Sequence, residues 1–241
     1  MGESSGTWAA ESEGRAVRPK ISVVTLTNGT RPTMLARAFR CVAASTYPNI
    51  EHIVFDAAPY AGRTIGYIRN IANATTHGEL IAHADDDDWS HPLRLEEQMA
   101  LLEANSWACV GYLELLFWDT RWHSKPELRS AQAPLPGEAW IYRNNGSGLS
   151  VGASFLYRRH LWEACPFGDH PHEDRRWWSE NRRVNQNSLA TSAVFSPNPR
   201  MVCGIHGGNT EAYDRAVMLK GSQVWRRAPA WDKYCALVMT T

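Results

Sequence analysis

Two rhythms of apolar and polar positions run through the first half of this chain. Ile21 to Leu26 is a short β-branched run, read as a buried strand. Asn28-Gly29-Thr30 turns the chain, and Pro32 suits the first turn of a helix running through Ser45. Tyr47-Pro48-Asn49 is another turn, and Glu51 to Phe55 forms a second strand that ends at Asp56. A Gly/Pro loop leads to a helix over about Ile65 to Ala74, stopped by Gly78, and Glu79 to Ala84 is a third strand. Asp85 to Asp88 follow, Ser90 and Pro92 open a helix through about Asn105, and Val110 to Phe117 is a fourth strand. Alternating strands and helices predict an α/β fold, a mostly parallel sheet flanked by helices. Ligands of such sheets gather at the carboxyl ends of strands, where Asp56 and the aspartates fall.

The second half is less regular. Residues 120–150, with many Pro, Gly and Asn, read as a long loop. Val151 to Tyr157 reads as a strand, 173–185 as a helix, and Met201 to Ile205 as a short strand ending at His206-Gly207-Gly208-Asn209. The C-terminal residues form a closing helix and tail. This divides the chain into a flexible polar tail (1–17), one domain (18–214) and a C-terminal extension (215–241).

Composition narrows the function classes. A chain of 241 residues that is 44% hydrophobic can bury a sizeable core. Its formal net charge is zero, which argues against binding to nucleic acid or membrane by bulk charge. The balance is uneven, though: residues 1–120 carry 9 Lys and Arg against 15 Asp and Glu, and residues 121–241 carry 16 against 10. An acidic half followed by a basic half fits a cation site and an anion site in one protein. The five cysteines are odd in number, widely spaced and lack a Cys-x-x-Cys pair, so neither a disulfide framework nor a zinc knuckle is indicated. With no apolar signal region near the N-terminus and no run long enough to span a bilayer, the sequence reads as cytoplasmic.

Asp85-Asp86-Asp87-Asp88-Trp89 is the most informative stretch. In an extended segment, alternate side chains share a face, so Asp85 and Asp87 would converge. Ionising two close carboxylates is costly unless a cation sits between them. Hard oxygen ligands suit Mg2+, Mn2+ or Ca2+, and a diphosphate leaving group is a chemical reason to hold such an ion.

The linked motifs resemble those of family 2 glycosyltransferases of the GT-A fold. Ile21-Ser22-Val23-Val24-Thr25 with Arg31 is similar to their opening strand, and Tyr47 to Asp56 to their second strand with its preceding turn. Arg69-Asn70, Gly78-Glu79-Leu80-Ile81-Ala82, Asp85-x-Asp87-Asp88-Trp89 and His91-Pro92-x-Arg94-Leu95 continue in the same order. The resemblance implies a single GT-A domain and transfer of a sugar from a nucleotide donor, UDP-linked by default, with Mn2+ or Mg2+ as cofactor. It implies that Thr25, Arg31, Asp56 and Arg69 line the nucleotide pocket, with Asp56 on the base. Asp85 and Asp86 would join them on the sugar nucleotide, Asp85 at the ribose, and Asp87 would hold the metal on the diphosphate. The chain departs from the pattern at Ala57-Ala58-Pro59, where the family often has a second acid and a small polar residue.

Glu173-Asp174, after the turn Pro166-Phe167-Gly168, is similar to the family's Glu-Asp pair, which makes Asp174 the implied general base with Glu173 beside it. A sugar hydroxyl becomes a nucleophile when a carboxylate can take its proton, and direct in-line attack would invert the anomeric carbon. Glu and Asp at a helix N-terminus also simply favour the helix dipole. His206 is similar in place to a metal- or diphosphate-binding histidine and is carried as a second metal ligand. Trp89, Trp177 and Trp178 are the expected acceptor-stacking residues, whereas Trp107 and Trp118 are expected in the core. Arg175, Arg176, Arg182 and Arg183 read either as a solvated face or as an anion clamp.

Other classes remain. Gly148-Leu149-Ser150-Val151-Gly152 has the spacing of a hydrolase nucleophile elbow but lacks the strand before and the helix after. A metal-dependent phosphoesterase or nucleotidyltransferase would also use clustered aspartates, and an inactive sugar-nucleotide-binding module would keep the fold without the chemistry. The acceptor is open: a glycan, a lipid-linked sugar or a nucleic-acid base.

Overall fold

The computed structural model describes residues 18–121, 137–143, 150–170, 172–185, 188–192, 199–207, 209, 218 and 224–240. The expected N-terminal tail lies outside them. The first half follows the apolar pattern closely: β1 (Ile21–Thr27), α1 (Pro32–Ala43), β2 (Ile50–Asp56), α2 (Ile65–Ala74), β3 (Leu80–His83), β4 (Trp89–Ser90), α3 (Arg94–Asn105) and β5 (Cys109–Asp119). Pro32 stands in the first turn of α1, and the Thr64 hydroxyl caps α2 by accepting the Tyr67 N–H.

The later elements are β6 (Glu138–Arg143), β7 (Leu156–Arg158), α4 (Arg159–Ala164), α5 (Glu173–Asn185), β8 (Ser188–Ser192), β9 (Met201–Ile205), β10 (Trp225–Arg227) and α6 (Asp232–Thr240). Three expectations are corrected here. The long loop at 120–150 contains β6, whose alternating Trp140 and Tyr142 had been masked by the surrounding Pro, Gly and Asn. The strand expected over Val151 to Tyr157 is a 3-10 turn at Gly152–Ser154 followed by the shorter β7. Ser90 lies in the two-residue β4 rather than opening α3, because Trp89 and Ser90 pair with Val202 and Met201 of β9.

Among the described residues the sheet has ten strands, with the path β10-β6-β5-β7-β3-β1-β2 and β4, β8 and β9 attached beside it. The parallel core is β2-β1-β3, with Thr27 level with Asp56 at the open end. Beyond β3 the sheet is mixed: β7 runs antiparallel to both β3 and β5, while β8 and β9 run parallel to β5. β5 is long enough to belong to both regions, and Trp118 on it is buried as expected. β10 extends the sheet at β6, and α6 buries Cys235, Ala236 and Val238 against Leu116 and Val202. The expected C-terminal extension therefore adds a strand and a helix to the same layered structure. Among the described residues, no helix is long and apolar enough to cross a membrane.

Candidate active site

The four aspartates leave β3 in a turn, not in an extended segment; the Asp88 N–H donates to the Asp85 carbonyl at 3.3 Å. The extended segment expected there is thereby corrected, and within the turn Asp85 and Asp87 take different partners. Asp85 accepts from Arg69 Nη2 at 3.4 Å. Asp86 lies 2.6 Å from Arg31 Nη2 and also accepts a bond from the Thr27 hydroxyl. Asp87 Oδ2 gathers His206 Nε2 at 2.9 Å, Asn209 Nδ2 at 3.2 Å and Arg31 Nη1 at 3.3 Å. Asp88 turns inward and accepts from the Gly204 N–H and the Cys203 thiol, and burial pushes its pKa well up.

The backbone of this turn is held from several sides. The buried Arg37 of α1 donates to the carbonyls of Asp87, at 2.7 Å, and of Asp88. Gly204 of β9 passes so close to the Asp87 carbonyl that a side chain there would collide with it. Arg94, from the His91-Pro92-x-Arg94 motif, donates to the carbonyls of His83 and Ala153 and to the Ser90 hydroxyl. That arginine is structural: it anchors the start of α3 to the ends of β3 and β4.

α2 is the platform for the Glu-Asp pair. Asn70 holds the preceding turn from both sides, donating to the Phe167 carbonyl at 2.8 Å and accepting from the Phe167 N–H at 2.9 Å. Arg69 Nε donates to Glu173 at 3.1 Å. Burial works against the Arg69 charge, but Asp85 and Glu173 outweigh it and its pKa is raised. Burial raises Glu173 to about 7, against the pull of Arg69 and with the neighbouring Asp174 adding to the rise. Asp174 is partly exposed at the first turn of α5, and its Oδ1 accepts from the Arg175 N–H at 2.6 Å.

The raised acid has a consequence for stability. Folded Glu173 holds its proton to higher pH than it does in the unfolded chain, so its cost to folding is absent below about pH 4.5 and grows as pH rises towards 7. Glu173→Gln removes that cost, of about 3 kcal/mol by pH 8. Urea unfolding of both proteins at pH 5 and pH 8 should therefore show a steeper loss in the wild type. Equal slopes would mean that Arg69 keeps Glu173 ionised in the folded protein throughout.

Other expected site residues fall in different places. Asp56 is exposed at the end of β2, one oxygen accepting from the Ala58 N–H. Thr25 is fully buried and bonds His52 at 3.0 Å, so it does not line an open pocket; Thr27, one strand repeat further on, reaches the site. Asp86, at 1% exposure, faces Arg31 and not a ligand space. The largest correction concerns the tryptophans. Trp177 and Trp178 are 0% and 1% exposed and pack with Phe155, Tyr157 and Phe167, so neither offers a face to an acceptor. Glu173, Trp177 and Asn181 stand four apart and form the inward stripe of α5, which explains why all three are buried. Trp89 is half-buried, its ring contacted edge-on by His91 and Tyr234. Arg175 and Arg176 are exposed, and the side chains of Arg182 and Arg183 lie outside the described residues. Ser150 of the hydrolase-like spacing is buried and is followed by a 3-10 turn and a strand, not a helix.

Two residues of the site were not singled out in the sequence. Asn209 accepts from the His206 N–H at 2.6 Å and donates to Asp87, so it ties His206 to the aspartate. Thr27 ends β1, and its position at a strand's carboxyl end was the available signal.

No protein-family model matches the chain, and no curated protein sequence matches it. Solved structures do. A fragment of TarS from S. aureus, residues 1–349 in complex with UDP-GlcNAc, superposes with a TM-score of 0.56 at 15% identity, over 81% of this chain and 62% of that one. The chain thus spans less than two thirds of that fragment. The mannosyltransferase PcManGT from Pyrobaculum calidifontis, in complex with GDP-Man and Mn2+, superposes with a TM-score of 0.54 at 14% identity, over 93% of this chain and 70% of that one. At such identities the likeness speaks for architecture, and the chain has the mixed α/β fold of GT-A-type glycosyltransferases in a single domain.

Proposed function

We propose that this protein is a metal-dependent, inverting glycosyltransferase that moves a sugar from a nucleotide-sugar donor to an acceptor hydroxyl. One observation carries the reading. On the fold of enzymes solved with UDP-GlcNAc and GDP-Man, the carboxyl ends of β1 and β3 bring together Asp85, Asp87, Arg31, Arg69, His206 and the Glu173-Asp174 pair.

Asp87 and His206 fit a divalent cation. An oxygen and an imidazole nitrogen 2.9 Å apart match adjacent corners of an octahedron with bonds of about 2.1 Å, whose edge is about 3 Å. Among the described residues no three His, Cys, Asp or Glu side chains form a metal cage. Two protein ligands are the number expected where diphosphate and water complete the shell, as is common for Mg2+. When bound, Mn2+ or Mg2+ would neutralise charge developing on the departing diphosphate.

The chain's own groups do the rest. Arg69 Nη1 is buried without a partner among the described residues and has a donor left for a ligand oxygen. Asp56, at the mouth, keeps one oxygen for the base. Arg31 already neutralises Asp86 and Asp87, and its guanidinium would share that field with the cation. Asp174 would take the proton of the acceptor hydroxyl. The acceptor remains a glycan, lipid-linked sugar or nucleic-acid base in this reading, and the five free cysteines fit a reducing cytoplasm.

Calorimetric titration with UDP-GlcNAc, GDP-Man and other nucleotide sugars, with Mn2+ and then with EDTA, tests the proposal. Binding of one donor that is lost on chelation is the expected result. Absence of binding to every donor with metal present would overturn it.

A further inference from the structure

His83 is a histidine where a core residue would serve. It closes β3, is 1% exposed, and sits among the rings of Phe155, Tyr157 and Phe167 at 5.5 to 5.7 Å. An apolar side chain would fill such a site without the cost of burying polar atoms. Both ring nitrogens are instead engaged. Nδ1 lies 3.0 Å from the Gly152 carbonyl, and Nε2 lies 3.2 Å from the Tyr157 hydroxyl.

The directions of these bonds follow from the groups. Burial, with Arg69 and Arg94 nearby, keeps the imidazole neutral, so it carries one N–H and one lone pair. A carbonyl can only accept, so the proton is on Nδ1 and points at Gly152. Nε2 then accepts from the Tyr157 hydroxyl, whose oxygen accepts in turn from Asn73 Nδ2 at 2.9 Å. The chain runs one way, from Asn73 on α2 through Tyr157 on β7 and His83 on β3 to the Gly152 carbonyl.

Gly152 is where this chain meets the candidate base. Its Cα faces Asp174 so closely that any Cβ would run into the carboxylate. The Asp174 side chain occupies the space that the glycine leaves, and the position of the Gly152 backbone sets where that carboxylate sits. The same carbonyl also accepts the Phe155 N–H at 3.2 Å, so the turn is held from within and from His83.

We propose that His83 is a positioning residue for sugar transfer: with Tyr157 and Asn73 behind it, it holds the Gly152 carbonyl and so seats the Asp174 carboxylate against the acceptor hydroxyl. The proposal rests on the reading of Asp174 as the base. His83 touches no substrate and moves no proton in the reaction. It acts through Gly152.

The test measures nucleoside diphosphate release from UDP-GlcNAc or GDP-Man, whichever binds, with Mn2+ and with water as acceptor. His83→Phe, His83→Gln, Tyr157→Phe and Asp174→Asn are compared with the wild type, each with donor affinity by calorimetry and melting temperature. A displaced carboxylate should lower kcat by about tenfold to a hundredfold in folded His83→Phe, with donor affinity unchanged. His83→Gln, which keeps an N–H for Gly152, should recover part of the rate. Tyr157→Phe removes only a hydroxyl and should lower kcat in the same direction; it carries the test if His83→Phe does not fold. Wild-type kcat in these folded variants beside an inactive Asp174→Asn overturns the positioning role alone. Wild-type kcat in Asp174→Asn overturns the base reading and this proposal with it.

Discussion

Asp174→Asn should lower the rate of sugar transfer by about a thousandfold while donor affinity stays within about twofold. The substitution keeps the size and the oxygen that accepts the Arg175 N–H, so the N-terminal turn of α5 is preserved. It removes the group that can take a proton. Glu173 cannot replace it: that carboxyl is buried and engaged by Arg69, away from where an acceptor would stand. Nucleoside diphosphate release and calorimetry on the same preparation check both halves. Loss of donor binding along with turnover would assign Asp174 to holding the donor, and unimpaired turnover would remove it from the reaction.

The second large effect is expected at Asp87. Asp87→Ala takes away the oxygen on which His206, Asn209 and Arg31 converge. Donor affinity with Mn2+ should fall by about a hundredfold, to the level the wild type shows in EDTA, because a single imidazole is a poor site for a hard cation. The fold should persist, since the backbone of the turn is tied by Arg37 and by Asp88 to Gly204 and not by the Asp87 side chain. Metal-enhanced binding that survives in Asp87→Ala would move the ligand role to Asp85.

The parts of the site that were legible in the sequence are those written in neighbouring residues. The aspartates follow the apolar strand Leu80-Ile81-Ala82 and must emerge at a strand's carboxyl end; Glu173 and Asp174 open a polar-apolar helix. The tryptophans were misread because adjacency to Asp174 in sequence says nothing about which side of α5 is covered. That side was decided by Phe155 and Tyr157, from β7 and the turn before it, and by Phe167, from the turn between α4 and α5. Thr25 was misread for a related reason: the strand residue that reaches a ligand depends on where its neighbours end, and β3 stops level with Val24 while Thr27 continues to the rim.

Local order alone determined the strands β1, β2 and β3, the helices between them, and the placing of four acids just after β3, because strand and helix periodicities are set by residues two to four apart; the order β2-β1-β3 was decided by pairing across tens of residues. The partners of those acids were decided only in three dimensions. Arg31 comes from the loop before α1, Arg69 from α2 and His206 from the end of β9, at separations of up to 119 residues from the aspartate they meet. The direction of the His83 chain and the closeness of Gly152 to Asp174 belong to the same class. A carboxylate's chemistry depends on the charges and donors within a few ångströms of it, and the tertiary fold chooses which those are.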